Sequence, residues 1–182
     1  MINIYKLKLT NLQQEILRLL FIKSGMQLNA RRIALILEVS QPAVSKALPL
    51  LEKEGFVRVE KDKDSKRLSI ELNKESHEAI WLKRADNLKQ IYESGLAQFL
   101  YDAFPGSTVI LFGSYAFGED TIKSDIDLAA IGTKEKGIDT EKFQKALERE
   151  ITVSYYPSFK SIDKHLLNNI LNGIVLKGAV EI

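Results

Sequence analysis

The stretch from Val109 to Gly132, VILFGSYAFGEDTIKSDIDLAAIG, constrains this chain more than any other. An apolar run ends in Gly113-Ser114, ten residues intervene, and Asp125-Ile126-Asp127 opens a second apolar run. Side chains alternate between the faces of a strand, so Asp125 and Asp127 share one face and Ile126 takes the other. Two carboxylates held a few ångström apart repel each other unless a cation or proton lies between them. Hard oxygen ligands of this kind suit Mg²⁺, with substrate phosphates completing its shell. Gly113 leaves the backbone bare enough to approach a phosphate. Ser114 adds a hydroxyl donor beside the exposed N–H groups of the turn that follows. The plainer alternative is a turn at Gly113-Ser114 and two surface aspartates leading a strand.

Around this stretch strand and helix alternate. Thr108 to Phe112, Ile126 to Ile131 and Ile151 to Tyr155 are strand-like, while Asp139 to Glu150 and Ile162 to Asn172 have helical spacing. That order predicts a small α/β domain with a mixed sheet. The segment resembles the DNA-polymerase-β-like nucleotidyltransferases, in particular the minimal nucleotidyltransferase group. Their pattern is a strand, Gly-Ser, a spacer of about this length, and Asp-hydrophobic-Asp. The tail NGIVLKG, Asn172 to Gly178, is similar to the end of such domains, so the resemblance covers about Thr108 to Gly178.

The resemblance implies transfer of a nucleoside monophosphate from an NTP, usually ATP, to an acceptor, with loss of pyrophosphate. Asp125 and Asp127 would be the catalytic pair and hold two Mg²⁺ ions, and Gly113 and Ser114 would bind the nucleotide. One ion would polarise the α-phosphate and activate the acceptor, and the other would hold the leaving pyrophosphate. Two departures stand out. The family usually has a third acid on the strand after the helix; here that strand reads Ile151-Thr152-Val153-Ser154, which aligns Thr152, with Glu150 the nearest carboxylate. An Arg often precedes the second Gly of the first motif, and here Phe117 precedes Gly118. A site without its third carboxylate can bind Mg–ATP yet transfer slowly or not at all, so turnover stays open.

The N-terminal part reads differently. Thr10 can cap a helix carrying Leu12, Ile16, Leu19 and Leu20, which ends near Ser24-Gly25. A second helix covers Asn29 to Leu37 with Ile33, Ile36 and Leu37 inward. After a turn at Glu38-Val39, Ser40 caps a third, with Pro42 in its first turn and Val44, Ala47, Leu48 and Leu51 on one face. Gly55 stops it. Two short β segments follow, Phe56 to Glu60 and Arg67 to Leu72, around the charged loop Lys61 to Lys66.

Helix, helix, tight turn, helix and a basic hairpin is the arrangement that lays one helix in the major groove with a wing beside it. The third helix leaves Gln41, Ala43, Ser45 and Lys46 outward at its start, where Gln and Ser can read base edges and Lys can meet a base or phosphate. Arg31 and Arg32 open the second helix, and Arg58, Lys61, Lys63, Lys66 and Arg67 make the wing basic. The segment Leu28 to Leu72, with VSQPAVSKALPLLEKEGFVRVEKDKDSKRLSIEL at its centre, resembles winged-helix transcription regulators of the MarR-like kind. It departs at Pro49, which removes a hydrogen bond to Ser45 inside the helix. The resemblance implies binding to double-stranded DNA as a homodimer. Winged helices also serve as protein–protein modules, with the basic wing simply solvated.

The expected organisation is a two-domain α/β chain. A winged helix-turn-helix occupies 1–73, a long connecting helix 74–104 with Gly95 a candidate break, and a nucleotidyltransferase-like domain 105–182. Charge follows the division: residues 1–72 hold 13 Lys/Arg against 8 Asp/Glu, and residues 73–182 hold 13 against 16. A basic first part and mildly acidic second part is expected when only the first touches a phosphate backbone. The absence of cysteine excludes disulfides and thiolate metal sites, and His77 and His165 are too far apart to suggest a zinc pair. No apolar run approaches membrane-spanning length and Met1 to Leu9 lacks a secretory pattern, so a cytoplasmic protein without a membrane is expected. Trp81, Tyr92, Tyr101, Tyr155 and Tyr156 read as packing residues, and His165 as a non-catalytic one.

Three readings follow. The first is a DNA-binding regulator with an active transferase domain, whose acceptor is a partner protein, as in toxin–antitoxin pairs where similar domains modify a toxin. The second is a regulator whose degenerate domain senses nucleotide or docks a partner. The third is a stand-alone transferase using the winged helix to hold substrate or subunit.

Overall fold

Three capped helices open the structure, a computed structural model that describes residues 9–61 and 68–181. The Thr10 hydroxyl accepts the Gln13 N–H at 3.3 Å while the Gln13 side chain accepts the Thr10 N–H at 2.9 Å. This reciprocal cap satisfies two donors that the start of α1 (Asn11–Ile22) leaves open. Asn29 caps α2 (Ala30–Ile36) and Ser40 caps α3 (Gln41–Lys53), each accepting one backbone N–H. Between them Glu38 takes a left-handed backbone, φ 54°, a costly choice for a residue with a Cβ that turns the chain within a few residues. Pro49 lies on the exposed face of α3, which runs through it to Lys53.

The helices close over Ile16, Leu20, Ile33, Val44, Leu48 and Leu51, all buried. Gln13 is buried with them and its side chain donates to the Ala47 carbonyl at 3.1 Å, so α1 and α3 are tied by a satisfied polar contact. The inward face of α2 differs from the periodicity reading. Ala30, Ile33 and Ala34 are buried, Leu37 is half-buried, and Ile36 is exposed. The i, i+3, i+4 stripe runs through Ala30, Ile33 and Ala34, and Ile36, two residues past Ala34, falls on the side of the helix opposite it.

Strands β1 (Val57–Lys61) and β2 (Leu68–Leu72) form an antiparallel hairpin in register from Val57 opposite Leu72 to Lys61 opposite Leu68. Leu28 adds a short bridge, exchanging backbone hydrogen bonds with Ile70 at 2.9 and 2.7 Å. This is a winged helix. Lys63, Lys66, Arg67 and the rest of the wing loop lie outside the described residues, as does the N-terminal segment 1–8.

The chain divides into two compact units, Met1–Ala79 and Ile80–Ile182. The expected single helix over 74–104 is two: α4 (His77–Glu93) and α5 (Leu96–Ala103), separated at Ser94-Gly95. The break frees α5 to bury Leu96 and Leu100 in the sheet's core, with Phe104 just beyond it.

In the second unit β3 (Thr108–Phe112), β4 (Ile126–Ile131), β5 (Ile151–Tyr156) and β6 (Ile174–Lys177) lie in the order β5-β4-β3-β6. β3 runs antiparallel to β4 and β6, and β4 parallel to β5, which makes the sheet mixed. The parallel pair is joined through α7 (Glu141–Leu147), shorter than its periodicity suggested because Glu148 turns left-handed, φ 52°. One face packs Val109, Leu111, Ile126 and Leu128 against Leu100, Phe104, Phe143 and Leu147. The other packs Ile110, Phe112, Ala129 and Ile131 against Phe159, Ile162 and Ile170, the last from α8 (Lys164–Leu171). A short helix α6 (Gly113–Phe117) follows β3 directly. No single helix among the described residues is long and apolar enough to cross a membrane.

Candidate functional site

Asp127 and its neighbours show how a strand can carry a charge at the end of its core. Ile126 and Leu128 are fully buried on the first face of the sheet, so alternation turns Asp127 to the second face, while Asp125 lies one residue before the strand. Asp127 stands opposite Phe112 in the β3–β4 register, next to Gly113. Gly113 adopts φ 72°, and a Cβ there would collide with the Asp127 carboxylate. The glycine is therefore required twice, by its backbone conformation and by the carboxylate against it. Burial, and then the nearby Asp125 charge, raise the Asp127 pKa above the usual carboxylate value. Both causes mark a place where a cation would be welcome. Ser114 is half-buried at the start of α6. The donor set, two hard carboxylates with glycine backbone alongside, fits Mg²⁺ carried with phosphate oxygens.

Both residues that the sequence offered for the third position lie near the pair. Thr152 is the β5 residue directly opposite Asp127 in the parallel register, and it is exposed. Glu150 precedes the strand, its carbonyl accepting the Ile126 N–H at 2.8 Å. Its side chain helps line an open cleft of about 580 Å³ beside Asp125 and Lys145. Among the described residues no three His, Asp or Glu side chains come together as a metal set. At the second departure, the Arg84 guanidinium lies 5.7 Å from the Phe117 ring.

Sequence reasoning missed a buried ionic cluster beneath this loop. Asp120 is paired with Lys83 from α4 and, at 3.3 Å, with Arg149, and it accepts the Asn87 side-chain N–H at 2.7 Å. All four residues are buried. Desolvation lowers the Lys83 pKa, against the pull of Asp120. One signal was legible: Lys83, Asn87 and Ile91 recur at i, i+4, i+8, so two polar residues share the inward stripe of α4. Nothing in the residues around Asp120 marked it as buried.

In the first unit the outward residues of α3 stand where periodicity put them. Gln41, Ser45 and Lys46 are exposed and Ala43 half-buried, with Val44, Ala47, Leu48 and Leu51 beneath. Arg31 and Arg32 are exposed at the start of α2, and Lys61 at the end of β1. Arg58 is ion-paired with Glu75, so a phosphate would compete for it. Several aromatic expectations change: Trp81, Tyr92 and Tyr101 are more than half exposed, with the Lys177 ammonium over the Tyr101 ring. Tyr155 and Tyr156 do pack, on opposite faces of the sheet. His165 is exposed.

Residues 9–69 match the family model described as MarR family, and residues 93–176 match the model described as nucleotidyltransferase domain. The chain thus joins a MarR-like winged helix to a nucleotidyltransferase domain. Among solved structures it is similar to the adhesin competence repressor of Streptococcus pyogenes, at 28% identity over 53% of this chain and 69% of that one, TM-score 0.41. Lactococcus lactis ZitR matches at 23% identity over 58% of this chain and 68% of that one, TM-score 0.42. The MepR protein of S. aureus, solved as a DNA complex, matches at 26% identity over 52% of this chain and 81% of that one, TM-score 0.38. No curated protein matches the chain.

Proposed function

We propose that this protein is a homodimeric DNA-binding regulator whose second unit binds an NTP, most simply ATP, with Mg²⁺ at Asp125 and Asp127. The observation that carries the nucleotide reading is the packing of bare Gly113 against the Asp127 carboxylate, with Asp125 near enough for its charge to act on Asp127. In this reading Gly113 and Ser114 meet the phosphates and the two carboxylates hold the cation. Bound Mg²⁺ would supply charge neutralisation at the phosphates. In transfer, an acceptor oxygen would bond to the α-phosphorus as the bond to pyrophosphate breaks, pyrophosphate would leave with the bonding pair, and the acceptor's proton would pass to solvent water. A partner protein is the proposed acceptor.

Thr152 favours a second reading. A hydroxyl opposite Asp127 cannot take a proton from an acceptor as a carboxylate can. Nucleotide binding without turnover would make the second unit a sensor or docking module on a regulator. The DNA reading rests on the outward set Gln41, Ser45 and Lys46 with Arg31 and Arg32, supplemented by Ala43, Arg58 and Lys61. Lys63, Lys66 and Arg67 of the wing belong to the same proposal.

Two measurements test the whole. Selection of bound duplexes from a random pool should yield one preferred sequence with two-fold symmetry; enrichment of none would remove the regulator reading. Incubation with α-labelled ATP and Mg²⁺ should label a partner protein if the unit turns over. Binding without label in any acceptor would leave the sensor reading.

A further inference from the structure

The segment between Gly113-Ser114 and Asp125 is anchored at one residue. Asp120 is almost fully buried, and its two oxygens are divided between elements: one meets Lys83 and Asn87 of α4, the other Arg149. Two of the partners are themselves held by further hydrogen bonds. Asn87 also donates to the Tyr115 carbonyl of α6 at 2.9 Å. Arg149 follows the left-handed Glu148, donates to that residue's carbonyl at 2.9 Å, and stands two residues before Ile151 opens β5. Gly118 lets the loop lie on α4, since a Cβ there would come within 2.7 Å of the Ile80 carbonyl and 2.8 Å of the Arg84 nitrogen. Beyond Asp120 the loop holds itself, with Thr121 N–H donating to the Ser124 hydroxyl at 3.0 Å and Ser124 N–H to the Thr121 carbonyl at 2.9 Å. Asp125 follows immediately.

We propose that Asp120 is a positioning residue for the cation site, clamping the motif loop between α4 and the start of β5 so that Asp125 is held beside Asp127. The inference rests on the nucleotide reading above. A cation shared by two carboxylates depends on their separation, and Asp127 is already fixed by strand pairing and Gly113. Asp125 precedes the first residue of β4, so its place depends on the loop. A buried charge with three donors holds one geometry, because moving it would strand the cations beneath.

The test compares the full-length protein with Asp120→Asn and with Asn87→Ala. The second variant removes the Asn87 hydrogen bonds to Asp120 and to the Tyr115 carbonyl without stranding a charge, and so serves if the first fails to fold. Amide hydrogen exchange over residues 119–125, the loop that ends where β4 begins, and calorimetric titration of ATP with and without Mg²⁺ are both read. Exchange in that segment should quicken by roughly tenfold while β3 and β4 stay protected. The Mg²⁺-dependent part of ATP affinity should fall by roughly tenfold or more, with Mg²⁺-independent binding unchanged. Equal Mg²⁺-dependent affinity in wild type and folded variants would overturn the clamp alone. Equal loss with and without Mg²⁺ would also overturn it, as a general structural effect. No Mg–ATP binding by the wild type would instead overturn the nucleotide reading, and this proposal with it.

Discussion

The two units bury different kinds of side chain. Among the described residues, the buried polar groups of the first unit are Gln13 and Ser24, both uncharged. The second buries Lys83, Asp120 and Arg149, and leaves Asp127 half-buried beside another carboxylate. In the first unit the residues proposed to meet DNA lie outside the apolar core, on the exposed end of α3 and the start of α2. A cation site needs charges held in place, which costs desolvation unless partners are supplied. Stability and function are separable in the first unit and entangled in the second.

Gly113→Ala should break that contrast most sharply. The alanine meets a left-handed backbone, at about 1–2 kcal/mol, and a collision with Asp127. Mg²⁺-dependent nucleotide binding should fall by roughly 100-fold or more, with DNA affinity of the folded fraction unchanged; titration and a DNA-binding assay on one preparation check both. Next in size is Arg31→Ala/Arg32→Ala in the first unit. It should weaken binding to every duplex and make the slope of log affinity against log salt shallower by roughly 4, if each of the four arginines lost from the dimer neutralises one phosphate. The melting temperature should not move, since both side chains are exposed. The smallest effect tests entanglement itself. Asp127→Asn removes a carboxylate that burial and Asp125 both disfavour, so the metal-free protein should melt a few degrees higher while losing its nucleotide. The gain should vanish at pH values low enough to protonate Asp127 in the wild type. A carboxylate with a raised pKa costs stability only once pH rises through its titration.

What could be read in advance follows the same divide. Helical periodicity located Val44, Ala47, Leu48 and Leu51 inside and Gln41, Ser45 and Lys46 outside, because a surface helix states its two faces in its spacing. Alternation put Asp127 on the face away from Ile126 and Leu128, and β5 came into register with Thr152 opposite Asp127. Tertiary partners were less legible. The edge strand β6 is only four residues, and its apolar run carries no sign of which strand it joins. Leu28 bridges Ile70 across a gap in sequence that no local pattern spans. The exposed Trp81 ran against expectation because aromatic character alone does not say which side of a helix is covered. Asp120 was hidden most completely, since a lone aspartate in a polar loop looks solvated until its cations are seen beneath it.

The central claim is that the Asp125–Asp127 pair is a working nucleotide site. Its most direct test is calorimetric titration of ATP into the protein with and without Mg²⁺, beside an Asp125→Asn/Asp127→Asn variant shown to be folded. Saturable binding that requires Mg²⁺ and disappears in the variant is the predicted result. Absence of binding to ATP or any other NTP at millimolar concentration would contradict it. The same affinity in wild type and variant would also contradict it, because the carboxylates would then not be holding the cation.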